Sequence, residues 1–455
     1  MKSIAEIGAN YIKEITEVVE SNTEGLKGML ESIKPIMAET VLVTMSAVFT
    51  ELDEQIFLEA KRRNEWTVIR KEDTKSIETI FGTLEYKRRY YRNRKTGQTA
   101  HLLDGWLGIS TWQKVGDDVR ESLVNEAVEL SYQKSGEKAA PAMVSKTSVG
   151  RYVSETPTVK GLIGDGKKRK CQVVYVEADE DHVALQDGRT SQVKLVYVHE
   201  GNISDTARAK LGHVRYMSWV NGTTDDQWEK VASYIEDQYD TDVLETVWLC
   251  GDGAAWIAAG AEWLPKCKMI LDGYHINKAF MELTNHASQF RSWGWQVLRG
   301  GTRAQMEELC SKLLERASTE RQAKEKREIA RYLIGHWDAI LTRREKGAPG
   351  CSAEGHVSHV LSARLSSRPM GWGKYNMEKM AALRVMRAND QAIRYERSHA
   401  YVTPLYIPEA GSIGQSVMSV RKRVADCFTD LPVIRLGKTS YLYQAVKGLA
   451  FGLPS

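Results

Sequence analysis

The sequence predicts a multidomain, mainly α-helical protein built around one mixed α/β core. At 455 residues the chain exceeds what a single small core accommodates and suggests two to four domains. Its hydrophobic fraction of 42% and charged fraction of 27% are those of an ordinary soluble globular protein. The spacing of apolar residues changes along the chain from helical steps to strand-like alternation and back. These changes divide the chain into the regions described next.

Residues 1–58 predict an N-terminal helical region. Its apolar residues recur at steps of three and four and form one stripe: Ile4, Ile7, Tyr11, Ile12, Ile15, Val18 and Val19. A second helical run extends from about Gly25 to Glu59. A helical bundle that packs on itself and an arm that forms a dimer both fit this pattern.

Residues 59–115 predict a basic β-hairpin region. Residues 60–95 contain 12 Lys and Arg against 5 Asp and Glu. The run "LEYKRRYY" alternates as a strand does, and residues 95–97 supply a turn. Basic side chains neutralise phosphates and tyrosines stack on bases or sugars, so nucleic acid is the expected partner, although a solvated charged hairpin has the same pattern. The candidate DNA-binding residues here are Lys87, Arg88, Arg89, Arg92 and Arg94.

Residues 116–160 have the outline of a helix-turn-helix. Two short helical stretches flank a break that contains Pro141, and Ser145 or Thr147 can cap the second helix. That helix would offer Lys146 and Arg151 to DNA, although any pair of short helices looks similar. The Gly- and Lys-rich run at 160–170 is typical of a linker.

Residues 171–275 predict the α/β core. Strand-like runs at 171–179, 192–198 and 213–220 precede a helix capped near Thr223 or Thr224, and then a strand, a short helix and a last strand. Three strands joined by short loops should be antiparallel, whereas strands reached through helices should be parallel. This βββαβαβ order is that of an RNase H-like sheet. An all-α insertion at 276–346 interrupts it, and residues 347–455 complete the core, with a helix from about Ala353, and add a C-terminal helical region.

Acidic residues give this core a candidate active site. In "VYVEADEDHVALQ", Glu177, Asp179 and Asp181 occupy alternate positions and share one face of a strand. The first and fourth strands of such a sheet are neighbours, so Asp179 should meet Asp252 of "WLCGDGAAW" across them. Glu354, on the late helix, would complete a triad with spacings of 73 and 102 residues.

Three carboxylates tolerate one another when cations lie between them, and oxygen-only ligation favours Mg²⁺ or Mn²⁺. Two such ions would activate a nucleophile and stabilise the leaving oxygen of a phosphodiester. Asp181 remains an alternative first ligand, and Glu378 an alternative third. Considered one at a time, the three acids also have purely structural explanations, with Asp179 ending a strand, Asp252 lying in a turn and Glu354 capping a helix.

Other functional classes find less support. The six cysteines lack CxxC spacing, which favours reduced thiols in a cytosolic protein over disulfides or a zinc site. No N-terminal signal pattern is evident, and no apolar run approaches ~20 residues, so neither secretion nor a membrane span is expected.

Several motifs together resemble the ISLre-type bacterial insertion-sequence transposases, a DDE-transposase family that also includes uncharacterised proteins. They include "FGTLEYKRRYY", "HLLDGWLGIS", "YVEADEDHVALQ", "GDGAAWI", "LDGYHINK" and "GCSAEGHVSHVLSARLSSRPMGW". The resemblance covers nearly the whole chain. It implies an RNase H-like enzyme that cuts element ends and joins them to target DNA with divalent metal, using Asp179, Asp252 and Glu354.

The resemblance also implies supporting residues. "LDGYH" is similar to an Asp/Cys-x-x-His motif of related transposases, which gives Asp272 and His275 a supporting role, although a histidine at a strand-to-helix junction is also explained by structure alone. Arg364 and Arg368, after Glu354, would hold a phosphate or be ordinary surface charge. The resulting expectation is a cytoplasmic, nucleoid-associated transposase that acts on terminal repeats and target DNA as a dimer or larger assembly. The alternatives are a metal-dependent nuclease of the same fold and a non-catalytic DNA-binding descendant.

Overall fold

A computed structural model describes residues 4–21, 25–139, 141, 143–159, 167–204, 210–368 and 370–395. Most of the predicted 160–170 linker, the C-terminal helical region beyond residue 395 and Cys427 lie outside the described residues. The chain divides into two compact units, one that extends to Pro157 and also includes Arg394 and Tyr395, and one from Thr158 to Ile393. Each unit is described by itself.

The first unit combines long helices, a small sheet and a group of short helices. Its N-terminal helices have the predicted extent. Its elements are α1 (Ile4–Ser21), α2 (Gly25–Leu58), α3 (Ala60–Glu65), β1 (Trp66–Thr79), β2 (Gly82–Asn93), β3 (Thr99–Ala100), α4 (Leu102–Trp106), α5 (Asp117–Ala127), α6 (Tyr132–Lys138) and α7 (Lys146–Glu155).

The basic hairpin exists, but its main partner strand differs from the prediction. β2 pairs along its length with β1, through a tight turn in which Thr79 faces Gly82. The turn expected at residues 95–97 joins β2 only to the two-residue β3. β1 was missed because its sequence, WTVIRKEDTKSIET, is highly charged and two register irregularities interrupt its pairing. Gly82 has a φ of +123°, a conformation that side chains disfavour.

The expected basic and aromatic face of the hairpin is largely interior. Tyr86 and Tyr91 lie in the hydrophobic core of the hairpin. Arg88 is 6% exposed, with its Nη1 atom 2.7 Å from Oδ2 of the buried Asp104. Arg89 binds acidic residues of α2, with 2.6 Å to Asp53. The prediction that Arg88 and Arg89 contact DNA is therefore wrong, because both guanidinium groups neutralise acids within this unit.

The other predicted hairpin contacts lie at the surface. Arg92 and Arg94 are exposed, and so is Lys87, whose Nζ atom lies 3.0 Å from a carboxylate oxygen of the exposed Glu72. Their role as DNA contacts stays a prediction.

Helix α2 is long and apolar enough to cross a bilayer by length and composition, contrary to the expectation that no such run is present. Core helices of soluble proteins pass the same test. The second half of α2 packs Leu42, Met45 and Phe49 against the hairpin core, and Asp53 binds Arg89. Packing against β2 thus explains part of the apolar face of this helix.

The helix-turn-helix outline corresponds to three mutually contacting helices, α5, α6 and α7. α7 begins at Lys146, and the Ser145 side chain caps it by accepting the backbone N–H of Ser148. Val149, Tyr152 and Val153 form the buried face of α7. Lys146 and Arg151 are exposed.

The second unit contains the predicted mixed sheet. Its strands are β4 (Val173–Ala184), β5 (Thr190–His199), β6 (Arg215–Trp219), β7 (Thr246–Gly251) and β8 (Cys267–Leu271). They lie in the order β6-β5-β4-β7-β8, with antiparallel pairing on the β6 side of β4 and parallel pairing on the β8 side. The predicted order of strands and helices and their directions are confirmed.

Helices cover both faces of this sheet. α8 (Thr224–Gln238) packs Trp228, Val231 and Ile235 against the even-numbered residues of β4, including Val174 and Val176. The predicted short helix is two single turns, α9 (Ala255–Ala258) and α10 (Gly260–Trp263).

The region predicted as an all-α insertion is helical throughout its described length. Its helices are α11 (Gly273–Leu283), a 3-10 turn (Ser288–Phe290), α12 (Arg291–Gly300), α13 (Arg303–Leu314), α14 (Glu320–Gly335) and α15 (Trp337–Thr342). They share a core around Phe280, Leu309 and Leu333.

A last helical segment returns to the sheet. It consists of α16 (Ala353–Val357), a π-helical stretch (Ser358–Ser362) and α17 (Ala363–Leu365), and α18 (Lys374–Ala388) follows it. α16 contacts β4, whereas α18 contacts the edge strand β6. α16 begins at the predicted Ala353.

Replacing Arg88 with alanine should lower the free energy of unfolding by about 3–5 kcal/mol, because it leaves the buried Asp104 charge uncompensated. The exposed Arg92 is the matched control, and its replacement with alanine should change that free energy by less than about 0.5 kcal/mol. Urea denaturation of both variants measures the difference. Equal stabilities would contradict the structural role given to Arg88.

Candidate functional site

The three acidic residues on one face of β4 have different surroundings. Glu177 is 3% exposed and accepts hydrogen bonds from the Tyr197 hydroxyl at 2.6 Å and from His199 Nε2 at 3.0 Å. The backbone N–H of Ser352 donates a further hydrogen bond to it. Burial alone would raise the pKa of Glu177, but these hydrogen bonds outweigh it and hold the pKa below its ordinary value. Glu177 is therefore a buried carboxylate that the fold itself satisfies.

Asp181 is also buried, whereas Asp179 is half-buried. The Ser366 hydroxyl donates to Asp181 Oδ1 at 2.7 Å. Among the described residues, the hydrogen bond to Asp179 comes from the backbone N–H of Glu180, at 2.8 Å. Asp181 Oδ2 is buried without a hydrogen-bond partner among the described residues, so Asp179 and Asp181 both keep a carboxylate oxygen that can bind a further group. The neighbouring charge of Asp252 favours Asp179 over Asp181 as the first acid of a site.

Asp179 faces Asp252 of the adjacent strand. β4 and β7 are parallel, Glu177 pairs with Cys250, and Asp252 directly follows the last residue of β7. Burial raises the pKa of Asp179 to about 6, and the negative charge of Asp252 adds to this rise, whereas the Glu180 N–H and His275 oppose it. The strand order therefore brings together the first two predicted acids, with a histidine within electrostatic range.

The turn that carries Asp252 is held from the helical insertion. The Tyr332 hydroxyl donates to the Asp252 carbonyl oxygen at 2.6 Å, and His336 Nε2 lies 2.8 Å from the Gly253 carbonyl oxygen. Gly253 has a φ of +88°, and a Cβ atom there would lie 2.7 Å from His336 Nε2. A side chain at Gly253 is therefore excluded twice, by backbone strain and by this contact.

Sequence reasoning missed Tyr332 and His336. Tyr332 lies in the last turn of α14 and His336 directly follows that helix, about 80 residues after the turn they support, and no local pattern connects the two segments. Their i,i+4 spacing, which places both on one face of the helix, was the available signal.

The Asp272 and His275 pair lies at the start of α11. Asp272 caps the helix by accepting the backbone N–H of Tyr274, and its own N–H donates to the Gly251 carbonyl oxygen at 2.7 Å. His275 Nε2 lies 4.0 Å from Asp272 Oδ2, with 30% of its side chain exposed. Asp272 thus has a structural explanation, and His275 stands at the edge of the aspartate pair.

Glu354 stands apart from the two aspartates. It is exposed on α16, and within the described part of the chain no three His, Cys, Asp or Glu side chains are grouped so as to hold a metal ion. Glu354 is therefore not part of a preformed metal-binding cluster among the described residues, and its meeting with Asp179 and Asp252 stays a prediction.

The alternative third acid, Glu378, is farther removed. It lies on α18, beside the edge strand β6, and accepts a hydrogen bond from Asn221 Nδ2 at 3.0 Å. β5 and β4 separate that edge from the Asp252 strand. The helix of Glu354, by contrast, contacts β4 directly.

The two arginines that follow Glu354 differ in their exposure to solvent. Arg364 is 6% exposed and stacks its guanidinium group over Trp372 at 4.8 Å, so the prediction that it holds a phosphate is wrong. Arg368 is exposed and remains a candidate for phosphate contact.

The chain is thus a mixed α/β protein whose sheet carries two neighbouring aspartates, Asp179 on β4 and Asp252 at the end of the parallel strand β7. It belongs to the uncharacterised protein family UPF0236, whose family model matches residues 20–399.

Similar proteins occur in Caldanaerobacter subterraneus subsp. tengcongensis. Two UPF0236 proteins of that bacterium are each 32% identical to this chain over 98% of its length and 97% of theirs. A third is 32% identical over 98% of this chain and 92% of its own length. The name of the first covers eleven loci in that genome, and the name of the second covers four. The family is thus present in many copies in one genome, and these names state no activity.

Replacing Asp179 with asparagine should stabilise the metal-free protein at pH 8. The folded-state pKa of about 6 lies above the ordinary 3.8, so the wild type loses stability as the pH rises through this window. The loss, and hence the gain in the variant, is at most about 3 kcal/mol. Urea denaturation at pH 4 and pH 8 in a chelator measures it.

Wild type and variant should converge at pH 4, where the wild-type carboxyl is protonated. Asp242→Asn, at an exposed position, is the matched control and should leave the pH dependence unchanged. A variant less stable than wild type at pH 8 would show that the Asp179 charge is satisfied in the folded protein.

Proposed function

We propose that this protein is a DNA transposase that cuts the ends of an insertion sequence and joins them to target DNA with divalent metal ions. The observation that carries the proposal is the facing pair of Asp179 and Asp252. One of these carboxyls has its pKa raised to about 6, and backbone rather than side-chain donors satisfy both. Perturbed acids of this kind concentrate at functional sites.

The sheet supports an RNase H-like assignment. Three antiparallel strands followed by two parallel ones, in the order β6-β5-β4-β7-β8, set the first and fourth strands of the core side by side. In α/β sheets, sites form at the carboxyl ends of such parallel neighbours. Asp179 lies two residues beyond the part of β4 that pairs with β7, and Asp252 directly follows β7 at the same end.

The donor set suits Mg²⁺ or Mn²⁺. Asp179 and Asp252 would hold the ions through carboxylate oxygens, and Glu354, on an exposed side chain, would join them by changing rotamer. When bound, two such ions supply an activated attacking oxygen and stabilise the leaving oxygen of a phosphodiester. His275 would orient Asp179 or contact the DNA backbone.

The copy number of the relatives supports a mobile element. A single protein name that covers eleven loci in one genome is expected of a gene that moves and is copied. We propose that the protein acts in the cytoplasm on nucleoid DNA. Because two element ends must be brought together, we further propose a dimer or larger assembly.

The first unit offers a surface suited to DNA beside the N-terminus of α7. A groove of about 630 Å³ lies there, lined by Trp112, Met143 and Ser148 among others. Trp112 is 89% exposed, although its loop is well anchored, since buried Lys75 Nζ donates to the Thr111 carbonyl oxygen at 2.9 Å. An anchored loop that presents tryptophan to solvent next to Lys146 suits base stacking and phosphate contact.

Asp252→Asn should abolish strand cleavage and joining while leaving DNA affinity unchanged, because it removes charge from the metal site and not from the DNA surface. The assay incubates the full-length protein with duplexes from the borders of its own gene, in Mg²⁺ or Mn²⁺. Glu354→Gln should have the same effect. Glu378→Gln is the matched control and should retain activity.

The DNA products of this assay also distinguish a transposase from a nuclease and from a non-catalytic DNA-binding protein. Hydrolysis without joining would support a nuclease. Binding without cleavage by the wild type would support a non-catalytic descendant, which the lack of a ready-made three-acid cluster among the described residues favours. Full activity in Asp252→Asn would overturn the assignment of this site.

Lys146→Ala and Arg151→Ala should each weaken binding of border duplexes by about tenfold. Each should also lower the number of counterions released on binding by about one, measured as the slope of log affinity against log salt concentration. Trp112→Ala should weaken binding comparably but leave the salt dependence unchanged, since stacking is not ionic. Fluorescence anisotropy at several salt concentrations measures both effects. Lys13→Ala, on exposed α1, is the control, and an equal loss there would argue against a localised DNA surface.

A further inference from the structure

Two residues that flank Glu354 are tied to the buried face of the sheet. Ser352 precedes Glu354 by two positions and His356 follows it by two. The groups that hold them come from three neighbouring strands and form what we call the anchoring cluster. It consists of Glu177, Tyr197, His199 and Tyr216.

Ser352 is held through both its backbone and its side chain. Its N–H donates to Glu177 Oε2 at 2.5 Å, and its Oγ atom lies 2.8 Å from the Tyr197 hydroxyl oxygen. The start of α16 is thereby fixed to β4 and β5.

His356 is held one turn later. Its Nδ1 atom lies 2.7 Å from the Tyr216 hydroxyl oxygen, and its ring stacks on Tyr197 with 4.4 Å between ring centroids. Tyr216 belongs to β6. The two flanking residues therefore span three strands.

The cluster is a continuous row across the sheet. Glu177 pairs in register with Tyr197, and Tyr197 pairs with Tyr216. His199 is also fixed, because its Nδ1 accepts the Gly201 N–H at 3.0 Å, which leaves its proton on Nε2 to donate to Glu177. All four side chains are at most 9% exposed.

This attachment determines which way Glu354 projects. His356 leans toward β5 and β6, and residues two apart on an α-helix point in directions about 160° apart. Glu354 therefore projects from the opposite flank of α16, away from β5 and β6. Its side chain is exposed.

A buried carboxylate is not needed for stability alone, since apolar residues of similar volume often serve a core equally well. Here the buried carboxylate receives the backbone N–H of Ser352, two residues before a candidate metal ligand. We propose that the anchoring cluster is a positioning device that holds α16 so that Glu354 can join Asp179 and Asp252 on divalent metal. This inference rests on the proposed function.

The test measures Mn²⁺ affinity of the full-length protein by electron paramagnetic resonance of free Mn²⁺. Tyr216→Phe removes the hydroxyl that holds His356, and Ser352→Ala removes the Oγ contacts with Tyr197 and Glu177. Each should weaken Mn²⁺ binding at least fivefold. Tyr239→Phe, at a buried tyrosine in the core on the other face of the sheet, is the matched control and should bind Mn²⁺ as the wild type does.

The decisive measurement repeats both variants in a Glu354→Gln background. If the cluster acts through Glu354, neither substitution weakens Mn²⁺ binding further there, a result that general destabilisation would not produce. The same loss in both backgrounds would overturn the inference.

Two further outcomes distinguish this inference from the proposed function. Unchanged affinity in Tyr216→Phe and Ser352→Ala, with affinity lost in Asp252→Asn, would overturn the inference and leave the proposed metal site intact. Unchanged affinity in Asp252→Asn would overturn both.

Discussion

The arrangement of the second unit depends on how three carboxylates on one face of β4 are neutralised. Like charges on alternate residues of a largely buried strand repel one another and lose hydration, so each needs a partner. Glu177 finds hydrogen-bond donors on β5 and before α16, and Asp181 finds the hydroxyl of Ser366. Asp179 receives one backbone N–H and faces another acid. The least compensated of the three negative charges, that of Asp179, therefore lies beside the end of the parallel strand β7.

The segments that supply these partners come from distant parts of the chain. The insertion holds the Asp252 turn through Tyr332 and His336. The late helix is tied to the sheet at Ser352, and its π-helical stretch leaves carbonyl groups that the buried Arg384 satisfies, with 2.7 Å from its Nε to the Val360 oxygen. Irregular helical turns of this kind are frequent near functional sites. The helical additions to the sheet therefore support the acidic residues as well as covering a core.

Charged residues in the first unit show why composition alone misleads. The local excess of basic residues correctly identified a distinct region, but the period-two pattern placed Arg88 on the same face as Leu84 and Tyr86, and that face is buried. Its charge is compensated by Asp104, a partner that lies beyond the hairpin. By contrast, Lys146 and Arg151 lie on a helix whose apolar residues account for its buried face, so their exposure could be predicted from spacing.

The sequence by itself determined the order of elements, the directions of the five strands and the meeting of Asp179 with Asp252. Local apolar periodicity and short connections fix these features, and strand adjacency then follows from chain topology. Only the tertiary structure decided which acids are satisfied, which arginines are buried and where Glu354 stands. Those outcomes depend on contacts that no local pattern encodes, some of them between distant segments, such as Tyr332 with Asp252 and Ser366 with Asp181.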